Sequence, residues 1–381
     1  MTCLRWRAGY QEFRAVGRRG GHDGSMRAIV PTDSIPADAT NPRPLSDLLT
    51  EVDLPKPEPR EGEVRIRIDA TGLNAADLLQ ARGHYPPPPG VTDVLGLECA
   101  GVVDALGPGV EEHAASAQTL TDLHEGAEVC ALLAGGAYAE YVCVDARHVL
   151  PLPAQPASGD GEMAGRFVSA AALVESCAAS WMMLADVGNL PTSQPQQVLI
   201  HGASGAVGSI AVQLTATWGH QVLATAGSPQ RCRQVEDLGA VTCFDYHDDW
   251  AAAVKERGGA DLIMDVIGAA GLGDNIRALA RQGTLAVLGM IKGAKAELNI
   301  GQLIAKNATI TARTVRSQSD EEKARLCRHL AEDVWPLIAS GAVQPVVGKA
   351  APMSEVGTVL APPTKDRSAA VFGKTVLTAQ W

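Results

Sequence analysis

Apolar and polar residues alternate in short runs along the first part of the chain. Residues 63–69 read Glu-Val-Arg-Ile-Arg-Ile-Asp, and this period of two predicts a half-buried strand. Similar runs at residues 100–105, 127–132 and 137–144 predict further strands. The pattern therefore predicts a compact β-rich domain that begins near Met26.

The pattern changes after residues 151–165, which are rich in Pro, Gly and Ala and indicate a domain boundary or a surface insertion. Beyond them, short apolar runs alternate with helix-like stretches. These runs occupy residues 197–201, 221–226, 241–245, 261–266, 284–289 and 309–314. Strands and helices at this spacing predict βαβ units, so the expected fold class is α/β with a doubly wound parallel sheet of the Rossmann type. A further helix is predicted at residues 321–340 and a last strand at 374–378.

Length and charge exclude several classes of protein. The chain has 381 residues, which suits about two domains. Its formal net charge of −11 disfavours nucleic acid as a partner, because an acidic surface repels phosphates. Residues 187–230 carry no charged side chain, but Gly and Pro interrupt them, and a membrane span needs about 20 consecutive apolar residues. We therefore predict no membrane partner.

The cysteines and the first residues bear on the cellular location. None of the 8 cysteines forms a C-x-x-C pair, which favours free thiols in a reducing cytosol over a zinc site or a disulfide framework. A cytoplasmic location is therefore predicted. Residues 1–25 are rich in Arg and are predicted to be a disordered extension, or the product of an upstream start codon, with Met26 opening the folded part. A transit peptide is the alternative.

The motif with the most chemical content is residues 198–208, Val-Leu-Ile-His-Gly-Ala-Ser-Gly-Ala-Val-Gly. Gly202, Gly205 and Gly208 follow a predicted strand and precede a predicted helix, which is the setting of a dinucleotide-binding turn. Glycines let the backbone approach a pyrophosphate, and the helix start offers N–H groups and a favourable dipole. The alternative is a tight turn that binds no ligand. His201 is interpreted as a packed strand end and not as an acid–base group.

The end of the next predicted strand distinguishes NAD from NADP. Residues 224–231 read Ala-Thr-Ala-Gly-Ser-Pro-Gln-Arg, and no acidic residue appears before Glu236. NAD sites place a carboxylate here for the ribose 2′-OH, and such a group would repel a 2′-phosphate. Ser228 can donate to a 2′-phosphate and Arg231 can pair with it, so NADPH is the predicted cofactor. The alternatives are that Ser228 is only a helix N-cap and that Arg231 is only a solvated helix residue.

Several further segments occur in a fixed order from Met26 onward. They are Asn74-Ala-Ala-Asp77, Arg82-Gly-His-Tyr-Pro-Pro-Pro-Pro-Gly90, Leu95-Gly-Leu-Glu-Cys-Ala-Gly101, residues 132–141, residues 225–228, Leu288-Gly-Met290 and Phe372-Gly-Lys-Thr-Val-Leu377. Together with the glycine-rich turn, they resemble the zinc-independent NADPH:quinone oxidoreductases, the zeta-crystallin-like group of the medium-chain dehydrogenase/reductase superfamily.

The resemblance implies a discontinuous architecture. A GroES-like catalytic domain would comprise residues 26–155 and 330–381, around an inserted Rossmann domain at 156–329. NADPH would lie in the cleft between the two domains, and the protein would form a homodimer. Residues 1–25 have no counterpart in the family.

The resemblance also implies a set of cofactor contacts. Besides the three glycines of the turn, the matching positions are Val207, Gly227, Ser228, Arg231, Tyr246, Gly373 and Lys374. Tyr246 would lie near the adenosine end, the alternative being simple packing at a strand end. Met290 and Ile291 would border the nicotinamide.

Three polar residues are expected near the acceptor. Asn74 can donate to a carbonyl oxygen, and Tyr85 can stack on a flat ring or supply a proton. The alternative for Tyr85 is a loop anchor beside the four prolines. Asp77 belongs to the same motif, but a salt bridge or a cap that holds the loop is the favoured interpretation for it.

Two positions argue against a metal, and one departs from the family. Zinc-dependent relatives carry Cys and His where this chain has Asn74 and Leu97, so no metal is predicted. Where the family has Pro-Glu and then a Thr that faces the nicotinamide, this chain has Val174-Glu175 and then Ala179-Ser180. Whether Ser180 replaces that Thr is left open.

These observations predict a zinc-free enzyme that uses NADPH to reduce small quinones or similarly activated carbonyl acceptors. Without a Lewis acid, simple alcohols and aldehydes are poor substrates, whereas quinone carbonyls are already electron-poor. One alternative is an enoyl or enone C=C reductase of the same superfamily. Another is a low-turnover NADPH-binding protein that acts as a redox sensor.

Overall fold

The computed structural model describes residues 24–32, 45–116, 122–154, 163–360 and 371–381. The chain forms two compact units: of the described residues, those up to 152, 350–360 and 376–381 belong to the first unit, and 153–349 and 371–375 belong to the second. The sequence-based boundaries were 155/156 and 329/330. The second one differs because the helices between residues 320 and 339 belong with the second unit. Of the predicted extension, residues 1–23 lie outside the described residues, and Ser25 already begins the first strand.

The first unit is built mainly of antiparallel strands. In chain order these are β1 (Ser25–Pro31), β2 (Leu49–Pro55), β3 (Glu63–Gly72), β4 (Glu98–Leu106), β5 (Glu128–Leu132), β6 (Tyr141–Asp145) and β7 (Val149–Pro151), with helices α1 (Ala75–Ala81) and α2 (Val110–Ser116). The predicted alternation in β3 is real: Val64, Ile66 and Ile68 are buried, while Arg65 on the other face pairs with Asp104 at 2.6 Å.

The second unit contains a six-stranded sheet and its covering helices. Helices α3 (Met163–Ala171) and α4 (Val174–Trp181) precede β8 (Gln197–Ile200), α5 (Ala206–Thr217), β9 (Gln221–Ala226), α6 (Pro229–Asp237), β10 (Thr242–Asp245), α7 (Trp250–Glu256), β11 (Ala260–Asp265), α8 (Leu272–Ala278), β12 (Leu279–Val287), α9 (Ile300–Lys306), β13 (Thr309–Ala312), α10 (Asp320–His329) and α11 (Trp335–Ala339). All the strand pairs in this sheet are parallel. Short 3₁₀ or π turns lie at Leu45–Asp47, Ala146–His148, Met182–Val187, Ala269–Gly271, Leu330–Val334 and Met353–Glu355.

The strand order of this sheet indicates where a ligand would bind. The order is β10-β9-β8-β11-β12-β13, so the chain runs outward from β8 to β10 and then restarts on the other side at β11. In such sheets, ligands bind outside the carboxyl ends of the strands at the point where the order reverses. That point is the junction of β8 with β11, directly beneath the glycine-rich turn.

The chain returns to the first unit near its end. Strand β14 (Val347–Pro352), the short helix α12 (Val356–Val359) and strand β15 (Lys374–Thr378) complete a seven-stranded sheet of order β14-β15-β3-β4-β5-β7, with β6 paired to β3. Val376 in β15 faces Gly72 in β3. The last predicted strand, at residues 374–378, is therefore present with the predicted bounds.

One helical stretch among the described residues is long and apolar enough to cross a membrane. It covers Gly165–Val187, and 83% of its most apolar window is buried inside the structure. Because most of this stretch is buried, it is a core element of the folded unit. It is absent from the elements predicted from the sequence.

Candidate functional site

The glycine-rich turn joins β8 to α5 at the switch point of the sheet. The N–H of Gly205 donates to the carbonyl of Gly202 at 2.9 Å, and Gly205 is the N-cap of α5. Since glycine has no side chain to cap the helix, the first N–H groups of α5 have no partner within the helix. A Cβ on residue 208 would lie only 2.3 Å from the Gly202 carbonyl oxygen. The turn thus presents closely packed backbone, which is suited to an anion.

The C-terminal segment packs beside this turn. The N–H of Gly373 donates to the Ser204 carbonyl at 2.8 Å, and Gly373 forms a parallel bridge with Gly205. Lys374 is only 2% exposed, and its ammonium donates to the Ser176 hydroxyl at 3.4 Å. The structure therefore brings Gly373 to the predicted cofactor turn, whereas the side chain of Lys374 points inward and anchors the segment.

Ser180 lies on α4 and contacts the same turn. Its hydroxyl donates to the carbonyl of Val207 at 3.0 Å and so ties α4 to the first turn of α5. A serine hydroxyl has one proton to donate. In this arrangement the proton is used on the backbone and the hydroxyl oxygen keeps its acceptor lone pairs, so whether Ser180 replaces the family Thr stays open.

Ser228 and Arg231 lie where β9 ends and α6 begins. Ser228 is the N-cap of α6, with Pro229 at the first helical position, and its oxygen accepts the Arg231 backbone N–H at 3.3 Å. Accepting this bond leaves the hydroxyl proton available for a phosphate. The cap role and the ligand role are therefore compatible. Glu236, the first acid after the strand, accepts the backbone N–H of Cys243 at 3.0 Å, so that carboxylate oxygen is engaged with β10.

Tyr246 packs against Gly227 and carries a cation on its ring. A Cβ on residue 227 would lie 2.9 Å from Cε1 of Tyr246, so Gly227 is the residue that lets the ring approach. The ammonium of Lys292 lies 4.7 Å from the centroid of the same ring. Lys292 is absent from the predicted site. The only signal for it in the sequence is its position two residues after Met290, which the resemblance places at the nicotinamide.

Met290 and Ile291 lie in the loop that follows β12. They are 45% and 69% exposed, which is unusual for apolar side chains of this size. The loop is held by a hydrogen bond from the Ile291 N–H to the Val266 carbonyl, 3.2 Å long. Val266 follows β11, and its Cγ2 would lie 2.8 Å from a Cβ on Gly202. The predicted nicotinamide residues thus share one edge of the sheet with the glycine-rich turn.

His201 is part of the support beneath the turn. It is buried, with Nδ1 at 2.8 Å from the Thr225 hydroxyl and Nε2 at 2.7 Å from Asn275 Oδ1, and its ring meets the edge of Trp250. Burial lowers the pKa of His201, because the charged imidazolium is poorly solvated there. The geometry agrees with the packed strand end inferred for His201.

In the first unit, Asp77 is a structural group. It is wholly buried, and its carboxylate accepts hydrogen bonds from the Asn74 N–H at 2.8 Å, the Tyr138 hydroxyl at 3.0 Å and the Gly96 N–H at 3.2 Å. Burial, and next the negative charge of Asp77, hold the pKa of Tyr138 well above its usual range. Asp77 was named with the candidate catalytic residues, and the structure places it as the cap that holds α1.

Asn74 is already engaged with protein groups. Its amide nitrogen donates to Glu98 Oε1 at 2.9 Å and to the Gly72 carbonyl at 3.3 Å. Both amide hydrogens therefore have protein acceptors in this structure, and donation from Asn74 to an acceptor carbonyl stays a prediction. Glu98 is wholly buried and is absent from the predicted site as a partner of Asn74, although it stands inside the Leu95–Gly101 motif. Leu97, where relatives carry a zinc ligand, is buried in the same strand region.

Tyr85 is the third polar residue predicted near the acceptor, and the described residues can also be searched for a metal site. Tyr85 is half-buried in the loop after α1, and its role beside the acceptor stays a prediction. Among the described residues, no group of three or more His, Cys, Asp or Glu side chains could hold a metal ion. The seven cysteines in the described part of the chain are free thiols.

Comparison with known proteins identifies the class. The zinc-binding dehydrogenase family matches residues 206–332, and the alcohol dehydrogenase GroES-like domain matches residues 60–154. The two units therefore form the two-domain α/β fold of dehydrogenases, and the predicted fold class is confirmed. The chain belongs to the medium-chain dehydrogenase/reductase superfamily.

The curated relatives are much longer than the matched segment. The human synaptic vesicle membrane protein VAT-1 homolog-like is 30% identical over 235 residues, which cover 61% of this chain and 51% of that protein. Phthioceranic/hydroxyphthioceranic acid synthase of Mycobacterium tuberculosis is 30% identical over 236 residues, which cover 61% of this chain and 10% of the synthase. The chain thus spans about half the length of the first relative and a tenth of the second.

Solved structures match over nearly the whole chain. A mycobacterial protein complexed with NADPH has a TM-score of 0.75 at 26% identity, covering 93% of this chain and 99% of that one. The human VAT-1 homolog-like protein has a TM-score of 0.73 at 26% identity, covering 94% and 99%. The Escherichia coli quinone oxidoreductase complexed with NADPH has a TM-score of 0.73 at 23% identity, covering 93% and 99%, and this likeness concerns the fold alone.

Proposed function

We propose that this protein is an NADPH-dependent, zinc-free reductase of small quinones or similarly activated carbonyl acceptors. The observation that carries the proposal is the edge of the parallel sheet. There the glycine-rich turn, Gly373 and the start of α6 lie together, with Ser228 and Arg231 in place of a carboxylate.

The residues at this edge suit a phosphorylated dinucleotide. The backbone N–H groups at the start of α5 would hold the pyrophosphate, since a helix N-terminus attracts anions. The Ser228 hydroxyl, the Arg231 guanidinium and the start of α6 would hold the 2′-phosphate. NADPH supplies the reducing equivalents when bound. The NADPH in the mycobacterial structure supports this choice of cofactor.

The residues predicted near the acceptor favour a substrate whose carbonyl is already electron-poor. Asn74 and Leu97 stand where zinc ligands would be, so no protein-bound Lewis acid is expected to polarise a substrate oxygen. A quinone needs little activation, and the chain then mainly orients it. For Tyr85 we keep the proposed role of stacking on a flat ring. Asn74 and Asp77 hold the start of α1, the helix that precedes the loop with Tyr85. The substrate class rests on this argument from the residues, because the likeness to solved quinone oxidoreductases concerns the fold alone.

Two other functions remain open, and each is tied to an observation. The match to a 236-residue segment of an acid synthase favours an enoyl or enone C=C reductase. The family Thr is absent at Ala179, and the hydroxyl of Ser180 donates its proton to the backbone. Both observations favour a low-turnover NADPH-binding sensor.

One experiment separates the three functions. The protein is titrated with NADPH and NADH, and NADPH oxidation is then followed with ortho- and para-quinones, an enone and an enoyl thioester. Turnover with quinones supports the main proposal, and turnover with only the enone or thioester supports the C=C reductase. Tight NADPH binding without turnover supports the sensor, and failure to bind either dinucleotide contradicts all three.

We also propose that the protein is a homodimer that pairs through β13. This strand is the edge of the six-stranded sheet, and neighbouring α9 exposes Ile300 and Ile304 by 53% and 68%. An exposed edge beside apolar side chains is normally covered, and a second copy can cover it about a two-fold axis.

Light scattering should show a dimer, and Ile304→Lys should convert that dimer to a monomer. The control Val241→Lys, at a position 66% exposed elsewhere, should leave the dimer intact. A monomeric unmodified protein would contradict the proposal.

A cytoplasmic location is kept as a proposal. Its support is the set of free thiols in the described residues, which suit a reducing compartment. Fractionation of cells that express the full chain tests it, with recovery in the cytosolic fraction expected. Recovery in an organelle together with loss of the first residues would favour the transit-peptide alternative.

A further inference from the structure

The loop after β12 holds a lysine in a fixed place. The Lys292 N–H donates to the Ile267 carbonyl at 2.8 Å, and the Gly293 N–H donates to the Met290 carbonyl at 3.1 Å. Ile267 is fixed in turn, because its N–H donates to the buried carboxylate of Asp265 at 2.8 Å. The backbone of Lys292 is therefore tied to the end of β11 and does not belong to a loosely attached surface loop.

The side chain of Lys292 crosses to the other half of the sheet edge. Its ammonium lies 4.7 Å from the centroid of the Tyr246 ring, and the edge of that ring packs against Gly227. A ring face attracts the cation without neutralising its charge. Since Gly227 immediately precedes the N-cap Ser228, one aromatic ring joins the ammonium to the start of α6.

Two acids lie near this place, and each is engaged with another group. Asp245 directly precedes Tyr246, and its Oδ1 lies 2.6 Å from Nδ1 of His247 and accepts the His247 N–H at 3.1 Å. Glu236 on α6 accepts from the backbone of β10. These bonds orient the two carboxylates toward other groups, and the positive groups at the start of α6 are the helix dipole, Arg231 and, across the Tyr246 ring, Lys292.

We propose that Lys292 determines selectivity for a 2′-phosphorylated dinucleotide. A phosphate at the start of α6 is held from the helix side by Ser228 and Arg231, and from across the Tyr246 ring by the Lys292 ammonium. This inference rests on the NADPH-dependent function proposed above and adds a residue from a different strand end to that site.

The test measures dissociation constants for NADPH and NADH with Lys292→Ala, Lys292→Arg and the control Lys295→Ala. Lys295 is an exposed lysine of the same loop. Lys292→Ala should weaken NADPH by about tenfold, the size of one charge-assisted contact, and NADH by less than about twofold. Lys292→Arg should restore most of the NADPH affinity, and Lys295→Ala should change neither constant. The fragments 2′,5′-ADP and 5′-ADP should show the same contrast.

Equal loss for NADPH and NADH in Lys292→Ala, or no loss for either, overturns the inference. If the unmodified protein prefers NADPH and only the Lys292 effect is missing, the inference alone fails and the proposed function stands. If the unmodified protein binds neither dinucleotide nor 2′,5′-ADP, both fail together.

Discussion

The glycine-rich turn of the second unit and the buried polar cluster of the first unit use opposite means to build a site. At the turn, Gly202, Gly205 and Gly208 leave backbone groups at a helix start without side-chain partners. In the cluster around Asp77, side-chain oxygens and nitrogens are instead satisfied by other protein groups. The first arrangement is open to a ligand, and the second mainly holds the protein together.

This difference explains why polar residue types are a poor guide to function in the first unit. In the sequence alone, Asn74 and Asp77 are residue types that can bind a substrate or transfer a proton. Their partners, Glu98 and Tyr138, come from distant parts of the chain, and these partners use the very atoms that a substrate would need. A buried polar group must be hydrogen-bonded, and here the protein itself meets that requirement.

The largest expected effect concerns Asp77. Asp77→Ala leaves the donors of Asn74, Gly96 and Tyr138 buried without an acceptor, so the free energy of unfolding should fall by about 3 kcal/mol or more in urea denaturation. Tyr138→Phe removes a single bond of the cluster and should cost less. A stable Asp77→Ala protein that binds NADPH but has lost turnover would instead restore Asp77 as a catalytic residue and break the comparison.

The next effect concerns the turn. In Gly208→Ala, the new Cβ would lie 2.3 Å from the Gly202 carbonyl oxygen, so the backbone must shift. Because the dinucleotide would contact that backbone, affinity for NADPH and NADH should fall together, by about tenfold or more in fluorescence titrations.

Gly273→Ala is the matched control for Gly208→Ala. Gly273 lies in α8, and a Cβ added there meets nothing within 4 Å. It should leave both affinities unchanged and, as a helix-interior Gly→Ala change, should not destabilise the protein. Normal binding by Gly208→Ala would show that the turn is a structural βα turn without a ligand.

Arg231 tests the cofactor choice with a smaller effect. Arg231→Ala should weaken NADPH by up to about tenfold and NADH hardly at all, since only NADPH carries the 2′-phosphate. Arg233→Ala, two residues further along the same helix and exposed, is the control. Equal losses for the two dinucleotides in Arg231→Ala would mean that the 2′-phosphate assignment is wrong.

The sequence predicts the second unit far better than the first. All six strands predicted between residues 197 and 314 are present and parallel, because runs buried on both faces are continuous apolar segments. The turn is predictable for a related reason: its chemistry comes from glycines at fixed spacing next to a strand, and these features are local in sequence.

The parts that sequence reasoning missed depend on distant contacts. The helical stretch Gly165–Val187 is absent from the predicted elements, and its burial depends on the elements that pack around it. Lys292 becomes a candidate only because the loop after β12 meets Tyr246 at the end of β10. Glu98 stands in a recognised motif, but its role depends on Asn74, 24 positions earlier. None of these contacts leaves a pattern in neighbouring residues.

The smallest expected effect is a pH dependence from two buried histidines of the second unit, His201 beneath the turn and His220 before the start of β9. Burial lowers the pKa of both His201 and His220 below the usual value of 6.5, so in the folded state the neutral form is favoured. Unfolding exposes them to water, where they take up protons more readily. Their stabilisation is therefore complete above about pH 6.5 and is lost as the pH falls, by less than about 1.4 kcal/mol per pH unit for each histidine.

Urea denaturation between pH 5 and 8 measures this slope of the free energy of unfolding against pH. His201→Gln should lower stability at neutral pH but reduce the slope, whereas His124→Gln, at an exposed ring, should change neither. A slope that is unchanged in both His201→Gln and His220→Gln would mean that acid lability arises elsewhere, and the support of the turn would then be no more sensitive to acid than the cluster around Asp77.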